Sequence, residues 1–348
     1  MKKIYLLMAS LLTLVSCEKE VKFNGEQLES KLVLYCNATP GEKLVADVSV
    51  SVFFLDRLNG NADFTDPLDK DRGSVKVYVN GSDTPYEMTY SPREPRYYYY
   101  DPDNPENQKP YPPETLCYSC DYVPQEGDHI KVVASFPGFD EVSGETTVPE
   151  NHLKLLDYSI RKLEDNTYRY EFTACVDDPG TGPLFYAVHP YVKCCERTND
   201  FVDGGYLENE YEYRWDFSSS DVLFANATEQ LIAFVEGEDG VSHYFSNDLV
   251  YGKRHEFKFS LDITSWYIDG QYETYSYDGK DYFYETTYDW YLSLQTLDEG
   301  FYYHKTSRDQ LNSDFGLFSE GVTLYSNVRG GYGTVCSSVT NSVHLPVK

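Results

Sequence analysis

The sequence predicts an all-β chain: an N-terminal immunoglobulin-like β-sandwich followed by a larger β-rich domain with one short helix. Three observations carry this. Apolar and polar residues alternate over short runs, the period of a half-buried strand. Turn signals such as Asn80-Gly81 and Pro137-Gly138 separate those runs. The composition suits strands, with 34 Tyr, 16% aromatic residues and only 3 Met in 348 residues.

The first element is not part of the fold. Lys2 and Lys3 precede an apolar run over 4–15, which ends in Leu14-Val15-Ser16-Cys17. A basic flank, an apolar stretch and a small residue before the cut make a secretory signal peptide over 1–16. The run is too short to span a bilayer, which takes about 20 apolar residues. An aliphatic residue, a variable one, a small one and then cysteine form the lipobox of bacterial lipoproteins. Cys17 is therefore expected to be acylated and to become the mature N-terminus. Each buried CH₂ contributes about 0.8 kcal/mol, so several acyl chains hold where one only lingers. Residues 17–30 begin Cys17-Glu18-Lys19-Glu20 and read as a lipidated, charged tether.

Residues 31–149 read as the sandwich. Strands are expected over 31–38, 47–55, 74–79 and 86–90, then over 128–136 and 141–148. Val48, Val50 and Val52 alternate with Ser49 and Ser51, and Asn80-Gly81 turns one strand into the next. Residues 59–73 read as a loop, as does the Pro- and Tyr-rich stretch 91–124, which is long for a simple connection. Pro149 closes the unit.

Residues 150–348 read as the second domain. Strands are expected over 155–163, 167–176, 184–193, 230–236, 256–263 and 289–297. Asp177-Asp178-Pro179-Gly180 is a turn, and Pro190 suggests an edge or a bulge. Residues 201–212 are acidic and read as a loop. Residues 299–312 space Phe301, Lys305 and Leu311 at helical intervals, which predicts the one helix. Gly330-Gly331 and Gly333 mark a close backbone approach before a last strand.

Charge excludes one class of partner. With 57 acidic and 29 basic residues the formal charge is −28. Such a chain repels phosphate backbones, so no nucleic-acid partner is expected. Setting Cys17 aside leaves seven cysteines, an odd number: Cys36, Cys117, Cys120, Cys175, Cys194, Cys195 and Cys336. Cys117-Tyr-Ser-Cys120 has the spacing of a redox pair or half a zinc site. It lies in a loop rather than opening a helix, so a loop staple or free thiols is the favoured reading.

Catalytic signatures are missing from the sequence. There is no Gly-x-Ser-x-Gly and no His-Glu-x-x-His, and the seven histidines are scattered. Cys175 sits mid-strand and reads as a structural thiol. No cofactor is implied beyond a structural calcium ion. Asp63, Asp66, Asp69 and Asp71 crowd one loop and could supply its oxygen ligands, although solvated loop charge is the simpler reading. Exposed aromatics offer another chemistry. Tyr97, Tyr98, Tyr99, Tyr100, Tyr111, Tyr118 and Tyr122 share the stretch 91–124, and are the expected contact surface for a partner, glycan or peptide. Trp215, Trp266 and Trp290 are expected to pack in the core.

Three segments together resemble a known family. They are the lipobox with Cys17-Glu18 and the strand after it, the segment around Asp177-Asp178-Pro179-Gly180 and Phe185-Tyr186, and Ser326-Asn327-Val328-Arg329-Gly330-Gly331-Tyr332-Gly333. The chain is similar to Bacteroidetes outer-membrane lipoproteins carrying domain of unknown function 4249. Thr334-Val335-Cys336 stands where many members have Val-Phe and then Gly or Ala. The resemblance implies a lipid anchor in the outer membrane, facing the cell exterior. It implies no known activity. It implies an accessory role in capture, gating or assembly beside a TonB-dependent transporter. The rival expectations are a surface hydrolase of glycan or peptide, using carboxylates assembled by the fold, and an adhesin or structural surface protein.

Overall fold

The computed structural model describes residues 29–51, 68–93, 97–99, 109–110, 115–199, 207–224, 243–277, 279–312 and 324–346. Among them the fold is all-β, with one helix longer than a single turn. Cys17 and the tether up to residue 28 lie outside the described residues.

The first sandwich is built from β1 (Leu32–Ala38), β2 (Val45–Val50), β3 (Ser74–Val79), β4 (Tyr86–Tyr90), β7 (Leu116–Ser119), β8 (His129–Ser135) and β9 (Val142–Thr147). Two short strands, β5 (Tyr97–Tyr99) and β6 (Lys109–Pro110), pair only with each other. The order β1-β2-β7-β4-β3-β8-β9 folds over on itself. Leu34, Val48, Val77, Ile130, Val132 and Ala134 meet in the interior, all fully buried. Full burial of such a side chain stabilises by about 1.5–3 kcal/mol. The expected hairpin of β3 and β4 is present, with Asn80 (φ 52°) and Gly81 (φ 72°) at its turn.

The second sandwich packs one sheet on another. A three-stranded sheet runs β10 (Leu153–Lys162), β11 (Thr167–Asp177), β15 (Arg254–Thr264). It covers β12 (Phe185–Thr198) and β17 (Lys280–Leu297), which pair over fourteen residues from Phe185↔Leu297 to Thr198↔Tyr284. β13 (Leu207–Arg214) and β14 (Tyr244–Ser246) pair with β12, and β16 (Gln271–Tyr277) pairs with β17. Tyr170, Phe172, Phe257 and Phe259 from one sheet meet Tyr186, Val188, Trp290 and Leu292 from the other. Phe172 and Phe259 stack at 4.7 Å. A one-turn helix, α1 (Trp266–Asp269), precedes β16, and α2 (Glu299–Asn312) stands where the spacing placed it.

One strand belongs to both units. The first part of β18 (Tyr332–Leu345) runs parallel to β1, from Val33↔Tyr332 to Ala38↔Ser337. Its remainder runs antiparallel to β17, from Leu297↔Ser338 to Trp290↔Leu345. The first sandwich is thus completed from the far end of the chain, and residues 31–149 do not contain all of it. Gly144 on β9 lies against Val335, and Ser143 bridges to Arg329, so β9 and β18 close the unit.

Three expectations change. The stretch 91–124 contains β7, a strand set between β2 and β4. The acidic segment 201–212 contains most of β13. Pro190 lies inside a paired strand, at the place where the outer partner of β12 changes. Val188 donates to His243 O on that side and Trp215 donates to Pro190 O. The nitrogen that cannot donate therefore falls between β14 and β13. The expected strand over 230–236 lies outside the described residues.

Candidate functional site

Beyond the core, β12 and β17 continue outward with β13 and β16 as edges, giving four strands in the order β13-β12-β17-β16. The register fixes what each face carries, because opposed residues share a face. Val192 lies between Tyr213 and Trp290, and Cys194 between Tyr211 and Tyr288. Glu196 lies between Asn209 and Thr286. Glu273 opposes Tyr284, Tyr275 opposes Tyr282, and Tyr277 opposes Lys280 on that same face. Seven tyrosines therefore line it: Tyr211, Tyr213, Tyr275, Tyr277, Tyr282, Tyr284 and Tyr288.

The other face carries charges, with Tyr272 stacked on Phe283 at its outer end. Glu208, Glu210 and Glu212 of β13 stand beside Lys193 and Arg197 of β12, with Glu285 and Asp289 of β17. Arg197 pairs with Glu208 at 3.1 Å and Glu285 at 3.3 Å.

The tyrosine face has a buried base and an open end. Trp290 is fully buried, and its indole N–H donates to Tyr267 O at 2.9 Å. Tyr267 packs edge-on against Tyr288 and Trp215. Tyr211 and Tyr213 on the β13 edge, and Tyr275 and Tyr277 farther out, are exposed, Tyr277 at 72%. Tyr275 stacks on Tyr282 at 5.2 Å. The Tyr284 hydroxyl lies near Thr286 and Glu196. Burial and the neighbouring Cys194 push the Tyr288 hydroxyl up to about 12, so it stays protonated. Exposed, rotamer-poor rings with polar tips suit recognition more than solubility.

A second feature lies where the two sandwiches meet. A cavity of about 460 Å³ is lined by Glu145, Thr147, Pro183, Asp298, Glu299, Tyr325 and Asn327 among others. Its groups are occupied in holding the junction. Asp298 Oδ1 accepts the Phe301 amide at 2.7 Å, an N-cap for α2. Its Oδ2 accepts the Thr146 hydroxyl. Burial raises this carboxyl, against the lowering effect of those hydrogen bonds. Asn327 imitates a strand: its amide donates to Val335 O at 2.8 Å and its oxygen accepts Val335 N at 2.9 Å.

The Asp-Asp-Pro-Gly turn is equally structural. Asp178 is buried and accepts from the Tyr186 hydroxyl, Asn247, and the amides of Gly180 and Gly252, all within 2.8–2.9 Å. Burial alone would raise this carboxyl, but the four donors hold it below the usual range.

The sequence-derived candidates are scattered. Tyr97, Tyr98 and Tyr99 form the short strand β5, while Tyr100 and Tyr111 lie outside the described residues. Tyr118 is only 2% exposed and packs in the first core, which removes it from any contact surface. Tyr122 packs against that core and donates to Asp128 at 2.6 Å. Asp63 and Asp66 lie outside the described residues. Asp69 and Asp71 are exposed, and Asp69 accepts the Asp71 amide at 3.1 Å as an ordinary turn. Among the described residues no three His, Cys, Asp or Glu converge to hold a metal ion. Cys117 and Cys120 are free thiols, and burial pushes both up, which keeps them protonated and poorly nucleophilic. Cys175 is buried mid-strand, as expected. Of the three tryptophans Trp290 is buried, Trp215 packs at the core margin and Trp266 is exposed.

The tyrosine face itself was missed by sequence reasoning. The signal was present in Leu207-Glu-Asn-Glu-Tyr-Glu-Tyr-Arg214, which alternates acid with larger neutral residues. High acidity made it look like a loop.

No curated protein matches the chain. Among solved structures, Salmonella alpha-2-macroglobulin is 12% identical over 92% of this chain, with a TM-score of 0.21. The match spans only 15% of that protein's chain. The family described as domain of unknown function (DUF4249) matches residues 18–342. That match takes in both sandwiches, the four-stranded extension and the shared last strand, and the chain belongs to the DUF4249 family.

Proposed function

We propose that this chain is a lipid-anchored protein on the outer face of a Bacteroidetes outer membrane, and that it acts without catalysis. In this reading it is an accessory binding component beside a TonB-dependent nutrient transporter. The observation that carries the reading is the tyrosine face of the four-stranded extension. Tyr211, Tyr213, Tyr275 and Tyr277 present their rings to solvent there, beside the stretch that Tyr267 of α1 covers. The lipobox at Cys17 supplies the address. The rival hydrolase needs two free carboxyls about 5–10 Å apart. At the junction cavity Asp298 spends both oxygens on a helix cap and on Thr146, which favours binding over catalysis.

The test is metabolic labelling with palmitate in the native host, with purification from solubilised outer membranes. The reading expects a labelled product that loses its label in Cys17→Ser and carries a barrel protein with it. An unlabelled product found in the cell interior would overturn the reading.

A further inference from the structure

The tyrosine face holds one feature that selects a ligand class. Glu196 lies near its middle, half-buried, with Tyr211 and Tyr288 at the diagonal positions on the flanking strands. Aromatic faces present negative potential, and a carboxylate among them adds a full charge. Glu273 lies farther out on the same face. Such a surface attracts a cation with flat or apolar flanks, and the whole chain carries −28.

Size and charge separate the occupants. From Tyr282 to Trp290 the face runs about 27 Å at about 3.4 Å per residue, and over most of that length about three strands lie side by side, roughly 14 Å. That is on the order of 400 Å², less than the roughly 800 Å² each partner gives a standard stable interface. Self-association would also set Glu196 and Glu273 of two strongly acidic chains against each other. A second copy fits poorly. A short extended segment fits well, because the rings form a strip along the strands.

We propose that this face docks a lysine- or arginine-bearing segment of a partner protein, with Glu196 as the anchoring carboxylate and the tyrosines as stacking walls. This rests on the binding role proposed above and names the chemistry of the partner. Arginine is favoured, since its planar guanidinium stacks on a ring while bonding a carboxylate.

The test uses the full chain in detergent and a labelled ten-residue Arg-Ser repeat peptide, read by fluorescence anisotropy. The expected result is saturable binding that Glu196→Gln weakens about tenfold. Tyr211→Ser and Tyr284→Ser should each weaken it about threefold or more. Glu212→Gln, on the opposite face, should leave it within about twofold. Equal losses in Glu212→Gln and Glu196→Gln would mean diffuse charge attraction and would overturn the proposal. So would absence of peptide binding, or tighter binding of a neutral hexaose that the tyrosine variants abolish. Failure here with a barrel protein still co-purifying would leave the accessory role standing. Loss of that co-purification in the native chain would remove the role itself.

Discussion

Asp298 and Thr146 are hydrogen-bonded across the junction of the two sandwiches. The Thr146 hydroxyl on β9 donates to the carboxylate that caps α2. Thr146 also meets Ser337 Oγ at 2.7 Å, on the strand that both units share. Helix, edge strand and shared strand are thus tied at one point. Asp298→Ala should destabilise the protein by about 2–3 kcal/mol, combining a lost cap with a lost charge-assisted bond. Asp298→Asn, which still caps, should cost less. Thr146→Val should cost about 1 kcal/mol, and the double variant less than the sum of its parts. Urea unfolding of wild type and these four variants measures this directly.

Gly333 permits the parallel pairing of β1 with β18. Its φ is 113°, and an added Cβ would stand 2.0 Å from Leu34 O. No side chain adjusts to a backbone carbonyl at that distance. Gly333→Ala should cost about 3 kcal/mol or more and loosen the shared strand. Hydrogen exchange should then accelerate in both sandwiches, because β18 serves both. Exchange confined to one unit would contradict the shared-strand account.

His189 gives the protein an acid-sensitive point. It is 3% exposed on β12, stacked on His243 at 5.2 Å, and both of its ring nitrogens are buried without a hydrogen-bond partner. Desolvation, with His243, Arg214 and Lys305 nearby, holds its pKa well below the usual value of 6.5. The unfolded chain therefore takes up a proton near pH 6.5 that the native chain refuses. Stability supplied by the neutral ring is full above that value and falls as pH drops below it, by up to about 1.4 kcal/mol per pH unit. His189→Phe should remove that slope. The check is the difference in unfolding free energy between wild type and variant at pH 7.5 and pH 5.5.

Asp178 should tolerate change badly. Asp178→Ala would strand the Tyr186 hydroxyl, the Asn247 amide and two backbone amides in a buried site. The expected cost is about 3–5 kcal/mol in thermal or urea unfolding, while Tyr186→Phe should cost about 1 kcal/mol.

Much of the fold was legible because its strands alternate against a buried face. β3, β4 and α2 stand at the residues their patterns indicated. β13 looks like a loop because both of its faces meet solvent and three glutamates mask the alternation of Tyr211 and Tyr213. β7 was hidden by its surroundings, four strand residues inside a Pro- and Tyr-rich stretch. The shared strand was beyond local reading, since the pairing of Val33 with Tyr332 spans nearly the whole chain. The binding face was half legible: abundant tyrosine pointed to an aromatic surface, but register places it on β12, β13, β16 and β17 rather than on the loop around Tyr97. Tyr118 illustrates why, because a strand neighbour on each side turns its ring into the core.

The most direct measurement is quantitative co-purification from native outer membranes, comparing wild type with a Tyr211→Ser/Tyr284→Ser/Glu196→Gln variant of unchanged circular dichroism. The account predicts a barrel protein near equimolar ratio with wild type and largely lost from the variant. Equal recovery with both proteins would contradict a docking role for the tyrosine face.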